Sequence, residues 1–367
     1  MKFTCEKSIL QEGISTVQKA ITGKSTLPIL NGIYIKTHQN ELILTGSDID
    51  LSIETKIKSD IIEEGSIVID AKIFGEIIRK LDNDTIHIAT IDNNSIEIVC
   101  NKSRFTLIHM NSEDFPELPN INENMIFSIP QNILKNMIRG TIFATAQDET
   151  RPILTGILFE IKNKKLNLVA LDGYRLALKS EALDTDNIIN AVIPGKTLSE
   201  VSKILEENEE SVNITFTPNH ILFSIGETKI ISRLLEGEFI KYNSIIPEEY
   251  NLKIIAKRIV LLNSIERASL MGKDGNTNLI KFDIEDENMV ITSNSQLGMV
   301  REELNIILQG EPLQIAFNSK YLIDVLKIME EDEVVIELSS SVSPCIIKNK
   351  NTNNCTYLVL PVRLVNN

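Results

Sequence analysis

The 367-residue chain has no tryptophan, and aromatic residues make up only 5% of it. A binding mode built on many stacked aromatic platforms is therefore disfavoured. Its four cysteines, Cys5, Cys100, Cys345 and Cys355, are too scattered to make a CxxC pair or a metal-type cluster. They read as buried or idle thiols of a reduced compartment. No apolar run approaches the roughly 18 residues that a membrane span requires. The opening stretch, Met1-Lys2-Phe3-Thr4-Cys5-Glu6, enters an amphipathic segment without the apolar core of a secretory signal. The expectation is a cytoplasmic protein that does not engage membranes.

Catalytic signatures are missing as well. The chain has no P-loop GxxxxGK(S/T), no GxGxxG, no HExxH and no GxSxG. His38 and His220 lie in polar, turn-like contexts and read as exposed; His87 and His109 lie in strand-like stretches. None has a Cys or His partner at ligand spacing. Acidic groups occur at Asp48/Asp50, at Glu206, Glu207, Glu209 and Glu210, and at Glu330/Glu331/Asp332. Such carboxylates could serve a two-metal nuclease, but they read better as solvated turns and helix ends. No enzymatic activity, cofactor or metal is expected.

What is present is a long chain of ordinary composition, 43% hydrophobic and 24% charged. Its length exceeds one ordinary core and suits two or three domains. The segment Ile67–Leu81 reads as a short apolar strand, a cap, a lysine and a helix with apolar residues at 73, 74, 77, 78 and 81. The same order recurs at 191–205 and 313–329. The three lysines, Lys72, Lys196 and Lys320, are each 124 residues apart. A second element repeats with them. Leu42–Asp48 matches Leu166–Asp172 at a spacing of 124, and Met289–Asn294 follows with Asn294 122 after Asp172. Each copy reads as a strand ending in a polar turn. Helix-like segments at 7–20, 131–145 and 257–270 open the copies. Hairpin-like strands at 85–110, 211–235 and 333–362 close them, with turns at Asn93-Asn94 and Pro218-Asn219. The chain is thus a threefold repeat, divided as 1–122, 123–248 and 249–367. Helices are too few to cover both faces of a parallel sheet, so the expected class is α+β, with antiparallel sheets and two helices per domain.

Charge is distributed unevenly over this repeat. The net charge is −14, which argues against nucleic acid only if basic residues are evenly spread. Each of the six helical segments is net positive. Together they carry +9, leaving −23 for the rest of a chain that totals −14. The residues responsible include Lys72, Arg79 and Lys80; Lys135 and Arg139; Lys196 and Lys203; Lys257 and Arg258; and Lys320. If the helices share a surface, it is a basic track on an acidic body and attracts a polyanion. The alternative is six ordinary solvated helix faces. No base-reading signature accompanies them, so contact with duplex DNA would be to phosphates and independent of sequence.

Several segments carry a specific likeness. These are Leu27-Pro28-Ile29-Leu30, Phe115-Pro116-Glu117-Leu118, Arg151–Glu160, Asp172-Gly173-Tyr174-Arg175-Leu176-Ala177 and the ending Tyr357–Leu364. Over essentially its full length the chain resembles the β subunit of bacterial DNA polymerase III, the sliding-clamp family. The resemblance implies a DNA clamp fold in a head-to-tail homodimeric ring, in which the first domain of one chain meets the third of the other. It puts Arg104, Phe105 and Leu107 on one side of that contact and Leu270, Met271, Glu302 and Glu303 on the other, an apolar patch flanked by opposite charges. It also implies one groove per chain for a short, apolar-ended peptide of the polymerase catalytic subunit, the clamp loader, other polymerases and repair proteins. The matching positions are Leu154, Gly173, Tyr174, Arg175 and Leu176; Asn318, Tyr321 and Val342; and Val359, Leu360, Pro361, Val362, Arg363 and Leu364. Read without the resemblance, Leu154, Leu176, Val359 and Leu360 are plain core. Lys24 and Gln147 lie on segments that face DNA in the family. The chain departs from family habit with Tyr174 in place of a His, Ile240 in place of a Pro, and Pro152-Ile153 in place of an aromatic pair. A nuclease using the scattered carboxylates and a triplicated interaction scaffold without a DNA role are the competing readings.

Overall fold

The computed structural model describes residues 1–23, 25–92, 94–121, 126–148, 150–272 and 278–363. Among them are six α-helices: α1 (Lys7–Val17), α2 (Ala71–Lys80), α3 (Gln131–Ile142), α4 (Gly195–Ile204), α5 (Arg258–Gly272) and α6 (Ser319–Ile328). They fall on the six helical segments expected from periodicity. The burial explains why. Helix α1 buries Leu10, Gly13, Ile14 and Val17, and α2 buries Ala71, Phe74, Gly75 and Ile78. Both are one stripe of a 3.6-residue period. Ile73, counted as a core-side residue of α2 in the sequence, is 50% exposed because it stands one position off that stripe. The Asp70 side chain caps α2 by accepting from the Ile73 N–H at 2.8 Å, and Asn318 caps α6 from Lys320 at 3.0 Å. Helix α3 stops at Ile142, short of the expected 145. Phe143–Thr145 turn away, and the Thr145 hydroxyl donates back to the Ile142 carbonyl at 2.8 Å.

The chain packs as two compact units. The first comprises Met1–Lys135 and Lys196–Leu234. It contains a five-stranded sheet that ends on the strand Ser103–Ile108, and an eight-stranded sheet. The eight-stranded sheet is continuous across two sequence repeats, because Leu51–Lys58 pairs antiparallel with Thr228–Arg233 (Ile53 opposite Ile230, Leu51 opposite Ser232). The second unit comprises Asn136–Gly195 and Leu235–Asn367. It repeats the plan with a four-stranded sheet that ends on Gly298–Asn305 and a nine-stranded sheet. Here Arg175–Ala182 pairs with Cys355–Val359 (Arg175 opposite Val359, Ala177 opposite Tyr357). Strand pairing is antiparallel throughout the described residues. One repeat element differs from expectation. The strand Asn288–Ser295 runs through Asn294 and turns two residues later, with Ser295 opposite Gly298. A tight two-residue hairpin replaces the longer polar turns that follow Ser47 and Leu171.

Candidate functional site

In the second unit, the turn between Lys165–Leu171 and Arg175–Ala182 is built by Asp172. Its Oδ1 accepts from the backbone N–H groups of Tyr174 at 2.9 Å and Arg175 at 3.0 Å. Gly173 sits at φ +93°, a conformation that side chains other than glycine rarely adopt. The turn lifts Tyr174 into solvent, 61% exposed, and stacks its ring on Tyr321 of α6 at 6.2 Å and 22°. The C-terminal stretch runs beside it. Leu360 N–H donates to the Tyr174 carbonyl at 2.9 Å, and Val362 N–H donates to the Ala316 carbonyl at 2.8 Å. Arg175 is only 9% exposed. Its Nε donates to Asp172 Oδ2 at 3.0 Å and its terminal nitrogens to Asp324 Oδ2 at 2.6 Å and the Phe143 carbonyl at 2.5 Å. Burial and the nearby Asp172 carboxylate push the Tyr321 phenol pKa upward.

Beneath the turn lies an apolar floor that includes Leu154, Leu176, Leu358 and Tyr242, with Ile153, Phe239 and Ile246 packed against it. Tyr242 donates its hydroxyl to Glu160 at 2.5 Å, and burial together with that bond raises its pKa. Leu360 and Val362 leave apolar surface beside the turn, and Val342, between the strands Glu333–Leu338 and Cys345–Asn349, is 63% exposed. The expected groove positions therefore sort into layers. Leu154 and Leu176 are floor, Tyr174, Leu360 and Val362 are exposed beside it, and Val342 is exposed on a separate turn. Pro361 is half-buried and Arg363 exposed. Val359 is fully buried in the sheet and can reach a ligand only through its neighbours, as the plain core reading had it. Leu360, which that reading also placed in the core, is 36% exposed. The Asn318 side-chain oxygen is engaged as the cap of α6. Leu364 lies outside the described residues. Phe143, Asp324 and Tyr242 were not singled out from the sequence. Tyrosine scarcity, six in the chain, is the one signal that draws the eye to Tyr242.

The basic helix residues behave unequally. Lys72, Arg79 and Lys80 on α2, Arg139 on α3 and Lys320 on α6 are exposed, as is Gln147. Lys196 is paired with Asp48 at 2.5 Å, Lys203 with Glu200 at 2.7 Å, and Lys135 with Glu207 at 3.2 Å. Lys257 is exposed but ends the strand Leu252–Lys257 rather than opening α5. Arg258 corrects the expectation of a DNA-facing cation. Its guanidinium turns inward to the carbonyls of Glu331 at 2.9 Å and Leu326 at 3.1 Å, satisfying the end of α6. His220 is likewise half-buried at a strand start, and its pKa is lowered by burial and by Arg233. Lys24 and Asn93 lie outside the described residues.

Two edge strands and the end of α5 carry the residues assigned to subunit contact. Arg104, Phe105 and Leu107 lie on Ser103–Ile108, where Phe105 is 38% and Ile108 76% exposed. Glu302 and Glu303 lie on Gly298–Asn305; Leu270 and Met271 end α5, with Leu270 60% exposed. The flanking charges already have partners within the chain. Arg104 pairs with Glu97 at 3.0 Å, Glu302 with Arg267 at 2.5 Å and Glu303 with Arg301 at 3.2 Å. The Arg267 hydrogen bond holds the Glu302 carboxyl below its ordinary pKa. Leu297 and Met299, 78% and 73% exposed at the same hairpin, were not anticipated.

Among the described residues, no three His, Cys, Asp or Glu side chains converge as a metal site. All four cysteines are free and buried, and burial raises the Cys5 thiol pKa to about 11. No described helix is long and apolar enough to cross a membrane.

Family models for the DNA polymerase III beta subunit match the chain in succession: the N-terminal domain at 1–119, the central domain at 128–241 and the C-terminal domain at 243–363. The beta sliding clamp of Bacillus subtilis is 38% identical over 99% of this chain and all of its own length. The crystal structure of the Bacillus subtilis DNA polymerase sliding clamp superposes with a TM-score of 0.97 at 38% identity, over all of both chains. A Pseudomonas aeruginosa sliding clamp bound to griselimycin gives 0.95 at 28% identity, over 99% of this chain and all of that one. The chain belongs to the DNA polymerase III β subunit family, the β sliding clamps.

Proposed function

We propose that two copies of the chain close head to tail into a ring through the edge strands Ser103–Ile108 and Gly298–Asn305, around duplex DNA, and that the Tyr174 groove takes the partner peptide. A β sliding clamp is a non-catalytic processivity factor of DNA replication. It encircles duplex DNA without regard to sequence and tethers the DNA polymerase III catalytic subunit. The domains of this reading are 1–122, 123–248 and 249–367. The clamp loader and other polymerases and repair proteins compete for the groove. Action on chromosomal DNA places the protein in the cytoplasm.

The observation that carries the peptide reading is the layered groove: a buried apolar floor, exposed Tyr174, Leu360 and Val362 beside it, and a turn fixed by Asp172. Few, well-placed polar groups over apolar walls suit a short apolar-ended peptide. Two sheet edges, unpaired among the described residues and bearing exposed Phe105, Ile108 and Met299, support self-association, because open edges pair readily. The exposed cations Lys72, Arg79, Lys80 and Lys320 supply diffuse phosphate contact. Those held in exposed ion pairs cost little to release, about 0.2–1 kcal/mol each.

The test is gel filtration on nicked circular DNA, after loading with a matching loader and ATP, before and after the circle is cut. The expected result is co-elution with the circle and loss from the linear form, as free ends let a ring slide off. Equal retention on both forms contradicts encirclement, and no retention on either favours a scaffold without a DNA role.

A further inference from the structure

We infer that Asp324 is a positioning residue of the groove, acting through Arg175; the inference rests on the groove being the partner-peptide site. Arg175 joins three elements at once. Asp172 holds it from the turn at 3.0 Å, Asp324 from α6 at 2.6 Å, and the carbonyl of Phe143, just past α3, at 2.5 Å. Its Cζ lies over the Tyr321 ring at 4.7 Å and the Phe143 ring at 5.3 Å from the centroids. A continuous chain of ring contacts results. It runs from Tyr174 in solvent through Tyr321, Arg175 and Phe143 to Tyr357, 1% exposed, with Phe143 and Tyr357 centroids 5.9 Å apart.

Two carboxylates face one guanidinium, so no net positive charge is left for a partner. Arg175 therefore shapes the groove rather than attracting peptide charge. The two acids divide the work. Asp172 already fixes the turn through its other oxygen, so the turn survives without Asp324. Asp324 stands three residues after Tyr321, on the same face of α6. Its bond to Arg175 sets the register between turn and helix on which the Tyr174–Tyr321 rim depends. A guanidinium that bridges two carboxylates and a carbonyl while lying over two rings is a geometry that lysine does not reproduce.

The test is fluorescence anisotropy with a fluorescein-labelled peptide carrying the apolar-ended clamp-binding motif of the cognate polymerase, titrated with the intact protein at several salt concentrations. Asp324→Asn is expected to weaken binding about tenfold with an unchanged salt slope, since no peptide charge is involved. Asp324→Glu, which keeps the charge, is expected to recover most of the affinity. Arg175→Lys supplies an independent reading and is expected to weaken binding similarly. Wild-type affinity in Asp324→Asn and Arg175→Lys overturns the inference while leaving the groove intact as a site. A steeper salt slope in Asp324→Asn also overturns it, by making Arg175 a direct charge contact. Failure of the wild-type protein to bind the peptide removes the reading of the groove itself.

Discussion

Arg258 and Arg175 carry the same charge in any count along the sequence, yet neither is available to a phosphate. Arg258 spends its guanidinium on the carbonyls of Leu326 and Glu331, and Arg175 on two carboxylates and a carbonyl. Sequence patterns place such residues but not the direction of their side chains. Arg175 was legible as a groove position because it sits inside the Asp172–Ala177 motif. Its partners were not, because Asp324 is 149 residues away and enters only through the fold. For Arg258 the account makes a residue-level prediction. Arg258→Ala leaves two carbonyls without their charged donor and is expected to destabilise the protein by about 1–3 kcal/mol, read as a lower urea midpoint. Retention on circular DNA is expected to hold. Loss of retention with unchanged stability contradicts the inward assignment.

The helices were legible as elements because caps and period agree: Asp70 before α2, Asn318 before α6, and stripes such as Leu10, Ile14 and Val17. The continuity of the sheets was not. Pairing of Leu51–Lys58 with Thr228–Arg233 joins strands far apart in sequence, and no local pattern announces it. Edge status is hidden for the same reason. The strand Ser103–Ile108 alternates no better than an ordinary surface strand, and only its place at the end of the five-stranded sheet exposes Phe105 and Ile108. Here the prediction concerns assembly. Phe105→Asp adds a charge to an apolar edge contact, and sedimentation is expected to show a monomer where the wild type shows a dimer. Because Phe105 is partly exposed in the single chain, thermal stability is expected to change little. A dimer in Phe105→Asp that is as tight as wild type contradicts the edge-strand interface.

At the scale of the whole molecule, a chain of net charge −14 concentrates positive charge on its helices. The threefold repeat and that segregation were both readable from spacing and counting. The ion pairs between elements were not: Lys196 and Lys135 pair with Asp48 and Glu207 through contacts that only the fold brings about. Residual repulsion from the acidic body favours a topological rather than an adhesive hold on DNA. The most direct measurement is product length in primer extension on a singly primed circular template, with the cognate polymerase and loader. Wild-type protein is expected to give long products. Tyr174→Ala/Leu360→Ser, which alters two exposed residues of the groove that polymerase and loader share, is expected to give short ones. Long products from the double variant, or long products without the protein, contradict the account.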